Sequence, residues 1–134
     1  MNVAVDTNVL VRLLVADDVE QAERARSLFE TTGIFVPITV VLECWWVLEA
    51  VYRVPAREAA EAFRRLLGLP RVTFEHEERL LFALDAVTSG LDFADALHLA
   101  ATPEGKGFAT FDRRLARRAG RIPDAPRVFE PTKG

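Results

Sequence analysis

The sequence predicts an α/β fold, a three-layer sandwich in which a small, mostly parallel β-sheet is flanked by helices. Three observations carry that expectation. Short apolar segments rich in β-branched residues alternate with longer segments of helical spacing, the connections between them are short, and the strand-like segments are largely apolar. Strands buried on both faces and separated by helices imply right-handed crossovers and a parallel sheet covered on both sides. The 134 residues fit one domain, 1–134, near the commonest domain size and large enough for a real core.

Residues 2–6 read as a short strand, followed by a helical segment over 8–15 with Val9, Leu10, Leu13 and Leu14 apolar. Asp17 and Asp18 form a turn and N-cap for a helix to about residue 30, with Ala22, Ala25, Leu28 and Phe29 at helical spacing and Gly33 ending it. Residues 34–38 form the second strand and Thr39 is the expected cap of a helix over 40–51, apolar almost all round and so largely buried. Pro55 suits the first turn of the next helix, which runs to Leu67 and Gly68. A third strand over 71–75 precedes helices over 77–88 and 92–101. A fourth strand spans 108–111, a basic helix 112–119, and residues 127–129 an edge strand after the proline-rich turn at 123–126.

Half of the residues are hydrophobic and charges are mixed along the chain, which excludes global disorder. No apolar run approaches the roughly 18 residues of a membrane span, and the N-terminus reaches Asp6 too soon for a signal peptide. The expectation is a cytoplasmic protein without membrane association. Cys44, the only cysteine, has no partner for an internal disulfide or a zinc site and reads as small apolar filler.

Four carboxylates stand where apolar surroundings are expected. Asp6 ends the run Val3-Ala4-Val5, Glu43 lies inside the apolar segment 38–48, Asp95 opens an alanine-rich helix, and Asp112 closes Phe108-Ala109-Thr110-Phe111. Burying several like charges is costly unless a cation neutralises them, and the simplest partner for all-oxygen donors is a hard divalent metal. In parallel sheets ligands bind beyond the carboxyl ends of the strands, where Asp6 and Asp112 are expected to project.

Each acid also has a structural reading. Asp6, Asp92 and Asp112 each precede a helix and suit an N-cap; Asp95, three residues after Asp92, suits the first helical turn; Glu43 could pair with an arginine. Asn8 either orients a metal water or a carboxylate or caps a helix, and Thr110 either holds Asp112 or meets a substrate phosphate. His98 and His76 are weak ligand candidates, and Trp45 and Trp46 suit a core or a dimer interface better than base stacking.

A net charge of −3 argues against a nucleic-acid partner, yet setting aside the four acids leaves +1. Residues 106–121 carry a local charge of +5, which makes Lys106, Arg113, Arg114 and Arg117 candidates for contact with RNA phosphates. A solvated basic helix face is the plainer alternative.

Four pieces of sequence occur in one order along nearly the whole chain: Val5-Asp6-Thr7-Asn8, Thr39-Val40-Val41-Leu42-Glu43, Asp92-Phe93-Ala94-Asp95-Ala96-Leu97, and Ala109-Thr110-Phe111-Asp112-Arg113-Arg114-Leu115. Together they resemble the PIN domain, and within it the VapC-type toxin ribonucleases of toxin-antitoxin pairs. The resemblance implies a metal-dependent endoribonuclease in which Asp6, Glu43, Asp95 and Asp112 are the catalytic acids and ligands of one or two Mg²⁺ or Mn²⁺ ions. Asp92 and Thr110 match accompanying positions. It also implies a homodimer and a cognate antitoxin whose C-terminal segment covers the active-site crevice. No acid of the pattern is substituted.

Other classes fit less well. A phosphatase of the haloacid dehalogenase type needs a second aspartate two residues after the first, where this chain has Asn8, and a phosphate-receiver domain needs a lysine after a late strand, whereas the lysines are Lys106 and Lys133. The non-enzymatic alternative is a module on the same fold that binds RNA or protein without cutting.

Overall fold

The computed structural model describes residues 2–133, which carry seven helices and five strands and divide into two compact units, Met1–Glu77 and Glu78–Gly134. Every strand pairing is parallel, and the α/β class is as the sequence predicts. The strands pair as two ladders, one in each unit: β1-β2-β3 in the first and β4-β5 in the second.

In the first unit β1 (Asn2–Ala4), β2 (Gly33–Val36) and β3 (Val72–Phe74) run side by side, with Val3 opposite Ile34 and Phe35 opposite Thr73. The crossovers are α1 (Thr7–Leu14) with α2 (Val19–Thr31), and α3 (Ile38–Ala50) with α4 (Ala56–Leu67). Their apolar stripes meet the sheet residues Ile34 and Val36 in a core that includes Leu10, Val41, Leu48 and Phe63, with the Trp45 and Phe63 rings stacked at 6.0 Å between centroids. Arg12, on the last turn of α1, clamps three elements. Its guanidinium donates to Gln21 Oε1 at 2.8 Å, Asp17 Oδ1 at 3.3 Å and the Tyr52 hydroxyl at 3.2 Å.

One boundary and one burial expectation differ from the sequence reading for a physical reason. Helix α3 starts at Ile38, so Thr39 lies inside it; Pro37 occupies the cap position, and Glu75, just past β3, accepts the Ile38 N–H at 2.9 Å. That cap arrives from 37 residues away and leaves no local signature. Helix α3 is also one-sided rather than buried all round: Val41, Cys44, Trp45 and Leu48 are buried, while Trp46 and Val51 stand 62% and 58% exposed.

The second unit holds α5 (Glu77–Thr88, whose first residue closes the first unit), α6 (Phe93–Ala100), β4 (Phe108–Ala109), α7 (Arg113–Ala119) and β5 (Val128–Phe129). Gly90 turns the chain from α5 toward α6 with φ of 98°, a left-handed conformation that penalises any Cβ. Its carbonyl accepts the Arg118 Nη1 at 2.8 Å, tying α7 to this turn. Strand β4 is shorter than its apolar sequence suggests. Thr110 still donates its N–H to Phe129 O at 2.9 Å, but Phe111 leaves the ladder and stands 75% exposed. Among the described residues no helix is long and apolar enough to cross a membrane.

Candidate active site

In the first unit, buried Val5 extends the sheet through a bond from its N–H to Phe35 O, and the chain then turns into α1 at Asp6. The Asp6 carboxylate caps that helix: Oδ1 accepts the N–H groups of Asn8 at 3.0 Å and Val9 at 3.3 Å. Buried Thr7 donates its hydroxyl to Oε1 of Glu43 on α3, tying the second acid to the residue beside the first. Both acids are solvent-exposed. Asp6 lines a groove of about 460 Å³ with Asn8, Arg12 and Arg24 among its walls.

In the second unit Asp92 caps α6, its Oδ2 accepting the Asp95 N–H at 3.3 Å. Asp112 caps α7 through Oδ1, which takes the N–H groups of Arg114 and Leu115 at 3.0 Å each, while the Asp112 N–H donates to the Thr110 hydroxyl at 3.0 Å. Thr110 therefore positions Asp112. Asp92, Asp95 and Asp112 line one pocket of about 190 Å³ together with Leu91, Arg114, Leu115 and Arg118. Partial burial first, then the charges of Asp92 and Asp112, push the Asp95 carboxyl above its ordinary value, against a downward pull from His98.

The expectation that the four acids are buried is corrected. Asp6 and Asp112 are exposed because a carboxylate at a helix start caps through one oxygen while staying in water; Glu43 is exposed on the open face of α3, where the Thr7 hydroxyl reaches it, and Asp95 is half-buried. Burial falls instead on Cys44, whose thiol is pushed up to about 12 by desolvation and by neighbouring Glu43. The capping roles weighed for Asp6, Asp92 and Asp112 are all realised, each through a single oxygen.

The basic residues divide among surroundings. Arg114 lines the acidic pocket, Arg113 pairs with Glu130 at 3.4 Å, Lys106 lines a larger cleft of about 730 Å³ with Arg79 and Arg127, and Arg117 is exposed on α7. Sequence reasoning missed Arg12 and Arg24 beside Asp6, and Arg118 beside Asp95. Helical phase carried a signal for two of them: Asn8 and Arg12 are four apart on α1, as are Arg114 and Arg118 on α7.

All-oxygen donors suit a hard divalent cation, and Asp95, raised first by partial burial and then by the charges of Asp92 and Asp112, is an acid whose charged form a nearby cation would favour. Donor chemistry and charge therefore fit Mg²⁺ or Mn²⁺. Within either unit, among the described residues, no group of three or more His, Cys, Asp or Glu side chains forms a ready-made metal cage.

The chain belongs to the PIN domain family, whose model matches residues 3–121 and so encloses Asp6, Glu43, Asp95 and Asp112. PIN domains are in general metal-dependent nucleases. No curated protein matches the sequence.

Proposed function

We propose that this chain is a metal-dependent endoribonuclease, acting as one nuclease domain over 1–134 and as the toxin of a type II toxin-antitoxin pair. Asp6, Glu43, Asp95 and Asp112 are its catalytic acids and metal ligands. The observation that carries the reading is the PIN family match over 3–121, which contains all four acids in the order of the motifs that suggested them. Support also comes from Asp95, held above its ordinary pKa beside Asp92 and Asp112 in a pocket that Arg114 and Arg118 share.

Mg²⁺ or Mn²⁺, when bound, supplies a water of lowered pKa and offsets the charge that builds on the phosphate. The chain's residues do the positioning. Helix caps fix Asp6 and Asp112, Thr110 braces the backbone of Asp112, and the Thr7 hydroxyl holds Glu43. Asn8 and Asp92 support the acids from the same turns, and Lys106, Arg113, Arg114 and Arg117 contact RNA phosphates, which gives affinity with little sequence choice. In the reaction the water oxygen bonds to phosphorus and the bond from phosphorus to O3′ breaks, leaving 5′-phosphate and 3′-hydroxyl ends. The protein is cytoplasmic and homodimeric, the dimer drawing on the exposed Trp46 and Val51 at the α3 end, and its acidic crevice is covered by the cognate antitoxin.

The test is cleavage of a structured RNA with Mg²⁺ or Mn²⁺, abolished by chelator and by Asp6→Asn. Products ending in 2′,3′-cyclic phosphate would reject the hydrolytic route. RNA binding that is indifferent to chelator, with no cut at any metal concentration, would instead identify a non-catalytic binding module.

A further inference from the structure

We infer that Phe111 is a stacking platform for an unpaired nucleobase of the RNA, placed beside the acidic pocket of the second unit; the inference deepens the ribonuclease reading and rests on it. Phe111 is the most exposed large hydrophobic side chain among the described residues, at 75%, and it immediately precedes Asp112. An exposed ring costs solubility, and here it adds nothing to packing: the core-facing residues of the following helix are Leu115 and Ala119.

The mount is rigid. Thr110 is held to Phe129 O on one side, its hydroxyl takes the Asp112 N–H, and Asp112 is fixed by two bonds to α7. With the backbone on either side fixed this way, only the two side-chain torsions of the ring remain to be ordered on meeting a ligand. Nearby chemistry narrows what that ligand is. Arg114 and Arg118 line the same pocket as Asp92, Asp95 and Asp112, so guanidinium groups able to meet a phosphate stand at the pocket that begins at the residue next to the aromatic ring. A single strand of RNA offers that alternation of phosphate and flat base, and every base has a π-face to present. A base inside a duplex has both faces covered by its neighbours. The ring thus selects loops and single strands over helices, with little preference among bases.

The experiment measures fluorescence anisotropy of a short fluorescein-labelled single-stranded RNA, with Ca²⁺ replacing Mg²⁺ to hold off hydrolysis, against Phe111→Ala, Phe111→Leu and Phe111→Trp. Phe111→Ala should weaken binding roughly 5- to 150-fold, the range that alanine replacement of a stacked aromatic produces. Phe111→Trp should bind as the parent does, Phe111→Leu as poorly as alanine, and a blunt-ended RNA duplex should be held equally by all. Removing single bases from the RNA should reveal one position whose loss weakens the parent but not Phe111→Ala. If leucine serves as well as phenylalanine, or alanine leaves binding unchanged, or the substitutions alter only the oligomeric state, the stacking assignment is overturned. Cleavage is a separate arm. Parent protein that cuts RNA while Phe111→Ala binds normally keeps the nuclease and loses the platform, whereas base-dependent binding without any cut keeps the platform and loses the nuclease.

Discussion

The two units handle their acids differently. In the first, Asp6 and Glu43 are both satisfied by local hydrogen bonds, one from backbone N–H groups at the start of α1 and the other from the Thr7 hydroxyl. In the second, Asp95 sits half-buried between Asp92 and Asp112 and is driven toward its neutral form. An acid that caps a helix contributes to folding in its charged form; an acid held partly out of water beside other carboxylates opposes folding in that form. The second unit therefore adds a partly desolvated acid to its helix caps, a division that the first unit, whose two candidate acids are both hydrogen-bonded, does not share.

The largest expected effect tests that division in catalysis. Asp6→Asn and Asp95→Asn should each reduce RNA cleavage at least about 100-fold, since losing a transition-state charge interaction commonly has that scale. Equal activity in both variants, measured as initial rates at saturating Mg²⁺, would remove the acids from the reaction. Next comes stability. Asp6→Ala should cost about 1 kcal/mol by loss of the α1 cap, lowering Tm by several degrees, while Asp6→Asn keeps the cap and melts with the parent. Asp95→Asn should melt at or above the parent without added metal, and Mg²⁺ or Mn²⁺ should stabilise the parent more than this variant. Differential scanning calorimetry reads all of these; a fall of several degrees in Asp95→Asn would mark Asp95 as structural and erase the contrast between the units.

A smaller effect concerns pH. The folded pKa of Asp95 lies above its unfolded value, so the native state binds the extra proton and this residue's contribution to stability declines as pH rises from the ordinary aspartate pKa through the raised one. Metal-free parent protein should therefore lose more stability across that window than Asp95→Asn, in urea melts at matched ionic strength; parallel curves would contradict the crowding. Smallest of all, Arg113→Ala should leave stability within about 0.5 kcal/mol, because its pair with Glu130 is 83% and 44% exposed.

Most of the architecture was legible because it follows from local chemistry. Asp18 caps α2 as its position before a polar helix start suggests, and residues 77–88 form α5 as their spacing indicates. The shortened β1 and β4 escaped notice because an apolar run does not reveal where pairing stops: Asp6 diverts the chain into α1, and Phe111 carries an apolar side chain outside the ladder. The start of α3 escaped for another reason, since Glu75 is brought to Ile38 by the strand register of β2 and β3. The burial of the acids was overestimated because hydrophobic neighbours in sequence occupy other faces, as Glu43 stands exposed next to buried Cys44 on α3.

By itself the sequence determined the order of strands and helices, the parallel class and the caps at Asp6, Asp92 and Asp112, since periodicity and capping residues act over a few residues. Tertiary structure alone decided which acid is relaxed and which is crowded, that Thr7 holds Glu43, that Arg118 joins Asp95 in one pocket, and that Phe111 faces water. Those outcomes depend on distances between residues far apart in the chain, and electrostatics and desolvation respond to distance and exposure rather than to spacing along the backbone.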